Sequence, residues 1–226
     1  MNCNCITIAN LLDLTKTDAA SLFEGHTYPF EVLPLIKEYI TETLIPSLDS
    51  EQFDNRGDNV WIHKTAKVAP TAYIGGPCVI FAEAEIRHCA YIRGSAIVGR
   101  GCVVGNSTEL KNCVLFDCVQ VPHYNYVGDS VFGYKAHTGA GAITANVKAD
   151  KSNVCVKING KAIETGVRKF GAILGDFADV GCNSVMTPGA IIGRNTNVYP
   201  LSRVRGCVPA NSIFKAPDNI VKKIVK

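Results

Sequence analysis

One histidine and one pair of cations are the residues whose type and spacing could support chemistry. His123 lies in the polar segment VPHYNYVGDS, and an imidazole, with a pKa near ~6.5, can accept a proton at neutral pH. Arg93 and Lys111 each follow a large aliphatic residue and lie eighteen positions apart. A polar loop histidine and a solvated charged surface are the alternatives, so the elements that position these residues must be identified next.

A six-residue repeat supplies those elements. Neither an α-helix, with a period of 3.6, nor a flat strand, with a period of 2, returns a large residue at every sixth position with a small one two positions earlier. The pattern predicts a triangular coil of short parallel strands, with one large side chain inside each face and a small residue at each turn. The large residues are Ile62, Val68, Ile74, Ile80, Ile86, Ile92, Val98, Val104, Leu110 and Phe116.

The repeat is interrupted twice. It returns at Phe132, which is not a multiple of six from Phe116, and this predicts an excursion near residues 117–126. A second predicted excursion, residues 146–170, separates Thr144 from the last repeats and contains an alternating segment around Asn159-Gly160, typical of a type I′ hairpin. Excursions from a regular solenoid are where functional residues are usually placed.

The two ends of the chain lack the repeat. Residues 1–55 are predicted to be a helical extension, because PFEVLPLIKEYITETLI is amphipathic, and to cover the open first coil. The β-helix is predicted over residues 56–215. The basic tail, residues 216–226, is predicted to form a short helix with a solvated surface.

The repeat also predicts how the two cations are arranged. Three six-residue steps make one turn, so Arg93 and Lys111 are expected to stack on one face, ~4.8 Å apart along the axis. Like charges at that spacing repel by about 1 kcal/mol even in water-like surroundings. A phosphate dianion bridging both would relieve the repulsion, so the spacing predicts a phosphate site.

The pattern resembles that of the hexapeptide-repeat, left-handed β-helix acyltransferases, with Gly75, Gly99 and Gly105 directly after large residues. HxxYxGDS and GAGxITAN, at residues 123–130 and 139–146, are similar to the acetyltransferase domain of bifunctional N-acetylglucosamine-1-phosphate uridylyltransferases. TGVRKFGAILGD is similar to the archaeal sugar-1-phosphate nucleotidylyltransferase/acetyltransferases. The resemblance implies an all-β left-handed parallel β-helix, a homotrimer, and transfer of an acetyl group from acetyl-CoA to an amino-sugar 1-phosphate such as glucosamine 1-phosphate.

The same resemblance assigns roles to individual residues. It implies that His123 is a general base, that the backbone N–H of Ala140 stabilises the oxyanion, and that Asn146 completes the catalytic group. The residues implied for the substrate are Arg93, Lys111, Tyr126 and His137, and those implied for the cofactor are Ala140, Lys151, Arg168, Lys169 and Cys182.

Several of these residues have structural alternatives. Tyr126 could fill the interior of its coil, and Asn146 could simply be a turn residue. The alternative for Lys151, Arg168 and Lys169 is that these cations of the second excursion serve only to keep a projecting hairpin soluble. His137 stands where the family has an asparagine, which leaves the identity of the amino sugar open. Cys182 stands where the family has a serine and is more typical of a packing thiol than of a nucleophile.

Composition limits the other functions. Apolar residues make up 47% and charged residues 19% of the chain, with a net charge of +3, so neither nucleic acid nor an anionic membrane is expected as a partner. A stretch of ~18 apolar residues is absent, which argues against a membrane span. The ten cysteines are expected to be free thiols in the cytoplasm. No Gly-rich nucleotide loop precedes the repeat, so pyrophosphorylase activity is not expected.

Two alternative functions remain for this fold. The first is a zinc enzyme of the γ-carbonic-anhydrase type, for which His88 and His123 are spaced to lie on stacked coils, although the closely spaced histidine pair of that family is missing. The second is a non-catalytic binding protein. The sequence favours the acetyltransferase and predicts no metal site.

Overall fold

The computed structural model describes residues 3–158 and 160–224. The six-residue repeat forms the predicted left-handed parallel β-helix. Its strands, in chain order, are β1 (Phe53–Asn55), β2 (Val60–His63), β3 (Lys67–Val68), β4 (Tyr73–Ile74), β5 (Cys78–Ile80), β6 (Glu85–Ile86), β7 (Tyr91–Ile92), β8 (Ala96–Val98), β9 (Val103–Asn106), β10 (Glu109–Leu115), β11 (Gln120–His123), β12 (Tyr126–Phe132), β13 (His137–Thr138), β14 (Ile143–Thr144), β15 (Cys155–Ile158), β16 (Lys161–Glu164), β17 (Ala172–Leu174), β18 (Asp179–Val180), β19 (Val185–Met186), β20 (Ala190–Ile192), β21 (Asn197–Val198), β22 (Arg203–Val204), β23 (Cys207–Val208), β24 (Ser212–Ala216) and β25 (Asn219–Lys222).

The strands form three faces. Face 1 runs through β2, β5, β8, the second halves of β10 and β12, then β17, β20 and β23. Face 2 runs through β3, β6, β9, β11, β13, β18, β21 and β24. Face 3 runs through β4, β7, the first halves of β10 and β12, then β14, β19 and β22. Ile80, Ile86 and Ile92, one from each face, are almost completely buried in the interior.

The predicted excursion near residues 117–126 is wrong. β11 pairs in register with β9, and Leu115, not Phe116, pairs with Val98. The steps from Leu110 to Leu115 and from Val127 to Phe132 are five residues long, so two coils are one residue shorter than their neighbours.

The two shorter coils lack one residue at the corner between faces 3 and 1. Gly94 and Ser95 form this corner in one coil, whereas Asn112 alone forms it in the next, with a φ of 50°. Asp129 does the same one coil later, with a φ of 48°. Asn and Asp tolerate this left-handed backbone better than other non-glycine residues, so the shortened corner selects two polar side chains.

The prediction that the N-terminal segment covers the first coil is wrong. The segment lies along the side of the β-helix instead. The helices in it are 3₁₀ segments at Cys3–Ile6, Leu14–Lys16, Ala20–Phe23 and Pro29–Val32, α1 (Ile8–Leu11), α2 (Ile36–Tyr39), a π-helical turn at Ile40–Leu44, and α3 (Ile45–Ser47). The side chain of Asn112 donates to the carbonyl of Leu33 at 3.0 Å, and Asp18 pairs with Arg100 at 2.7 Å. Phe23 packs edge-on against Phe116, at 5.5 Å between ring centroids.

The physical reason for this placement is an apolar column on the outside of face 1. Val79, Ile97, Val114 and Val131 stand between two interior residues of their strands and therefore point outward, yet each is completely or almost completely buried. Such a column requires a cover. The first coil is closed instead by β1, which pairs antiparallel with β2 although it lies inside the predicted helical extension.

The predicted C-terminal helix is also wrong. β25 pairs antiparallel with β24 across a turn at Pro217 and Asp218, and this hairpin occupies the edge of the last coil. The predicted hairpin of the second excursion is confirmed, since β15 and β16 pair antiparallel. Asn159 of the predicted type I′ turn lies outside the described residues.

Candidate active site

His123 ends β11 at the corner between faces 2 and 3. The buried side chain of Asn125 fixes this corner, because it accepts from the N–H of His123 at 3.0 Å and donates to the carbonyl of Gly139 at 2.8 Å. The imidazole itself is exposed and forms no hydrogen bond with the described residues. A rigid backbone therefore presents a ring whose nitrogens are accessible to a ligand.

Ala140 and Cys182 stack above His123 at the same corner, on the next two coils. The carbonyl of His123 accepts from Gly141 at 3.0 Å, and that of Ala140 accepts from Asn183 at 2.8 Å. The N–H of Ala140 has no hydrogen-bond partner among the described residues. An N–H donor thus lies one coil from the imidazole, as an oxyanion site requires.

Cys182 is exposed, so the interpretation of this residue as a packing thiol is wrong. It lies directly against Gly139, where an added Cβ would come within 2.7 Å of the Cys182 backbone nitrogen. Glycine at this position keeps the surface beside Ala140 flat. His88 and Asn106 occupy the same corner on the two coils preceding His123.

Asp129 organises a polar network on face 3. Its carboxylate accepts from the ammonium group of Lys111 at 2.8 and 3.1 Å, from Asn112 at 3.0 Å, and from Asn146. Asn146 also donates to the hydroxyl of Tyr126 at 3.2 Å. The Asp129 side chain is only 4% exposed, so its charge is almost fully desolvated and its neutralisation depends on Lys111.

Arg93 stacks next to Lys111, as the repeat predicts, since Ile92 pairs with Leu110. The repulsion argument for a phosphate site is wrong, however. Arg93 forms an ion pair with Glu109 at 2.8 Å, and Lys111 forms one with Asp129, so each cation already has a counter-charge. A phosphate group would have to compete with Glu109 for the exposed guanidinium.

Tyr126 points outward, and the interior position belongs to Val127, so the interpretation of Tyr126 as an interior residue is wrong. Its side chain lies over Gly128, where a Cβ would approach the Tyr126 hydroxyl to 2.4 Å. Burial raises the pKa of Tyr126, and the nearby Asp129 and Glu109 carboxylates add to the shift. The phenol therefore stays protonated at neutral pH and can donate a hydrogen bond.

The remaining candidate residues lie outside this network. His137 is on face 2, where its Nδ1 atom lies 2.8 Å from Asp179, and Asn197 binds the other oxygen of that carboxylate at 3.1 Å. Lys151, Arg168 and Lys169 are exposed on the second excursion. The backbone of Lys169 is linked to the network, because Lys169 pairs with Val147 and its neighbour Phe170 donates to the carbonyl of Asn146 at 2.9 Å.

Sequence reasoning missed Asp129 and Glu109, the two carboxylates of the site. A signal existed for Asp129, because it belongs to the HxxYxGDS motif and a carboxylate in a predicted β-helix corner needs a counter-charge. Glu109 had the weaker signal of standing directly before an interior residue, on the same face as Arg93.

In residues 3–158 and 160–224, no cluster of three or more His, Cys, Asp or Glu side chains could hold a metal ion. Within those ranges, none of the helices combines the length and apolar character that crossing a bilayer demands.

The parallel β-helix built from a six-residue repeat is the architecture of hexapeptide-repeat proteins. Residues 74–166 match the family described as the GMPPB C-terminal domain. The bifunctional sugar-1-phosphate nucleotidylyltransferase/acetyltransferase of Sulfurisphaera tokodaii is 34% identical over 172 residues, which are 74% of this chain and 43% of that protein. A protein of Escherichia coli named as an uncharacterized acetyltransferase, YaiX, is 30% identical over 182 residues, 80% of this chain and 79% of that protein.

The chain therefore belongs to the hexapeptide-repeat acetyltransferase family and corresponds to the acetyltransferase region of its bifunctional members. It spans less than half the length of the Sulfurisphaera tokodaii relative. Among solved structures, the acetyltransferase domain of PglB from Neisseria gonorrhoeae, in complex with acetyl coenzyme A, is similar with a TM-score of 0.33 and 16% identity, covering 72% of this chain and 57% of that chain.

Proposed function

We propose that this protein transfers the acetyl group of acetyl-CoA to the amine of an amino-sugar 1-phosphate, with glucosamine 1-phosphate as the first acceptor to test. The observation that carries the proposal is the adjacency of two sets of groups. A proton acceptor and an unpartnered N–H lie on stacked coils at one corner, and two cations with hydrogen-bonding side chains lie on the adjoining face 3.

In the proposed reaction His123 removes a proton from the acceptor's ammonium group, so that the neutral amine can attack the thioester carbonyl. The N–H of Ala140 donates to the carbonyl oxygen as negative charge develops on it. When the carbon–sulfur bond breaks, the imidazolium of His123 can return the proton to the CoA thiolate, and the neutral imidazole then accepts the second proton of the acylated nitrogen and releases it to solvent. The imidazole is exposed and forms no hydrogen bond within the described part of the chain, which leaves both nitrogens available for this exchange.

Arg93 and Lys111 are proposed to bind the sugar phosphate. Arg93 is nearly half exposed and its pair with Glu109 lies at the surface, so its guanidinium can turn towards a dianion. Lys111 is held by Asp129 and can supply only its remaining N–H donors. Tyr126 and Asn146 would then contact the sugar, and His137, on face 2, is proposed to reach the acceptor from the other side of the corner.

The donor is proposed to lie along the corner that carries Ala140 and Cys182, with Lys151, Arg168 and Lys169 taking its phosphate groups. We also propose a cytoplasmic homotrimer, in which sites lie between subunits. Neither the corner nor face 3 needs a metal ion for this chemistry, so added chelator is expected to leave the rate unchanged.

The direct test is release of the CoA thiol from acetyl-CoA in the presence of glucosamine 1-phosphate, followed with a thiol reagent. Glucosamine without the phosphate and N-acetylglucosamine 1-phosphate, which has no free amine, are the matched controls. Release with the first compound and little with the other two supports the proposal. Equal release of the CoA thiol with all three compounds would contradict the proposed activity. A chelator-sensitive hydration of carbon dioxide would favour a zinc enzyme.

A further inference from the structure

The corner that carries His123 departs from the repeat at one buried residue. Two positions before each interior residue of face 3, the chain has alanine, serine or threonine in every coil but that of His123, which has asparagine. The residues at this place are Ala72, Ala90, Thr108, Asn125, Ala142, Ser184 and Ser202. Asn125 is only 2% exposed. A buried amide costs free energy unless its polar atoms are hydrogen-bonded, so its bonds must be accounted for.

The side chain of Asn125 bonds across two coils. Its oxygen accepts from the N–H of His123 at 3.0 Å, and its nitrogen donates to the carbonyls of Gly139 at 2.8 Å and Ala142 at 3.3 Å. Its backbone N–H donates to the hydroxyl of Thr108 at 3.3 Å. One buried amide therefore ties the corner of His123 to the corner of the next coil.

The fold alone does not require this amide. Elsewhere the same corner is closed by a backbone hydrogen bond, from the N–H of Ala90 to the carbonyl of Arg87 at 3.2 Å and from the N–H of Ala142 to the carbonyl of Gly139 at 3.2 Å. Alanine is thus sufficient to close the corner in the coils before and after. The amide of Asn125 has a role besides closure of its own corner.

That role follows from the geometry of one peptide unit. A peptide bond is planar and trans, so the N–H of Ala140 is directed opposite to the carbonyl of Gly139. This carbonyl accepts from Asn125 and from Ala142, which are both buried. The N–H of Ala140 is thereby turned away from the interior, towards the surface on which the imidazole of His123 is exposed.

We propose that Asn125 is a positioning residue for acetyl transfer, which sets the imidazole of His123 and the N–H of Ala140 relative to each other. The inference rests on the proposed function of this corner. A buried amide has no access to either substrate and acts only through these two groups. Because a displacement of ~1 Å can lower a rate by ~10²-fold, loss of the bridge between the coils should affect kcat.

The test compares Asn125→Ala with Thr196→Ala in the release of the CoA thiol from acetyl-CoA with glucosamine 1-phosphate. Thr196 is the matched control, because it is fully buried at a corner between faces 1 and 2, donates to the carbonyl of Pro209 at 2.6 Å and accepts from the N–H of Ser212 at 3.3 Å. Asn125→Ala is expected to lower kcat by ~10²-fold or more and to leave the KM of both substrates unchanged. Thr196→Ala also loses buried hydrogen bonds, so it should lower the Tm similarly but keep the parent's kcat.

A second variant, Asn125→Ser, separates the two sides of the bridge. A hydroxyl can accept from the N–H of His123, but it is one bond shorter than the amide nitrogen and does not reach the carbonyl of Gly139. The kcat of Asn125→Ser is expected to be as low as that of Asn125→Ala, since both release the Gly139–Ala140 peptide. The positioning role is overturned if either Asn125 variant retains most of the parent's kcat, or if Thr196→Ala loses as much kcat as Asn125→Ala.

Backbone NMR separates the failure of this inference from the failure of the proposed function. In Asn125→Ala the amide proton of His123 is expected to exchange faster with solvent, and the carbonyl ¹³C resonance of Gly139 to move upfield, because each group loses a hydrogen bond. Unchanged exchange and an unchanged resonance overturn the bridge. A parent chain that releases no CoA thiol contradicts the proposed function, and the NMR result then still decides whether Asn125 sets the two groups.

Discussion

The cations of face 3 fall into two groups that differ in what surrounds them. Lys111 and Arg93 each lie against a carboxylate, and one of these carboxylates is almost fully buried. Arg203 and Arg205, further along the same face, have no carboxylate within reach among the described residues. In the first group each cation has a compensating carboxylate, whereas in the second group neither cation has one among the described residues.

The two groups illustrate two ways in which a β-helix can present cations to a phosphate group. A compensated cation keeps its position without a ligand but gives up part of its attraction for an anion. An uncompensated cation keeps the whole attraction but is held in place only by its backbone. Removal of a carboxylate in the first group should therefore lower stability, whereas removal of an exposed cation should lower the affinity for an anion.

The largest effect on stability is expected from Asp129→Asn. Asparagine tolerates the same positive φ and has a similar shape, but it lacks the charge that neutralises Lys111 and replaces one of the two accepting oxygens with an N–H donor. Breaking a buried ion pair typically costs about 3–5 kcal/mol of unfolding free energy. Glu109→Gln breaks the partly exposed pair with Arg93 and is expected to cost about 0–1 kcal/mol. Urea denaturation of both variants measures the two losses of unfolding free energy. Equal losses would mean that burial of the Asp129 pair has no energetic consequence.

A smaller effect, on affinity alone, is expected from Arg93→Gln. The change should raise the KM for glucosamine 1-phosphate by ~10-fold, because a charged contact with the phosphate is lost, and should leave the KM for acetyl-CoA unchanged. Arg87 offers a matched control: it follows the interior residue Ile86 on face 2 and pairs with Glu85 at 3.1 Å. If Arg87→Gln raises the same KM equally, the phosphate does not bind at Arg93.

The smallest effect concerns His137. Its hydrogen bond lowers the pKa of Asp179 below 3.8, so the contact stabilises the folded chain above that pH and the contribution disappears as the pH falls through the folded pKa. Both side chains are about half exposed, so the gain is expected to be under about 1 kcal/mol. His137→Ala should therefore lower stability at pH 5 and have little effect near pH 2. A difference that grows on acidification has the wrong sign for this pairing.

The strands could be predicted from the sequence because the interior of the coil repeats with a fixed period. Ile62 to Leu110 never departs from six, and the structure places these residues inside the faces. The register failed at Leu115 because the period assumes a two-residue corner, and a single residue with positive φ makes a shorter one at Asn112. Hydrophobicity alone cannot distinguish Leu115 from Phe116, since both are buried, one inside and the other under the N-terminal segment.

The site was predicted less completely than the fold. The family resemblance indicated His123, Ala140 and Cys182, whereas the repeat alone placed His123 in an excursion; the structure brings the three to one corner of stacked coils. The compensation of Lys111 by Asp129 depends instead on the direction of a corner side chain, which no periodicity encodes. The position of the N-terminal segment depends in the same way on outward-pointing residues such as Val114. The sequence pattern does not show that these residues are buried, because it does not show which segment covers them.

The corner at His123 is proposed to perform acetyl transfer, and a pair of histidine variants tests this role most directly. His88 occupies the same corner two coils earlier, so His88→Ala controls for loss of a corner imidazole. With acetyl-CoA and glucosamine 1-phosphate, His123→Ala is expected to lower kcat by ~10²–10⁴-fold, as loss of a general base does, while its thermal melt stays that of the parent. His88→Ala is expected to retain the parent's kcat. A His123→Ala variant that keeps most of the parent's kcat, or an equal loss in both variants, would contradict the claim.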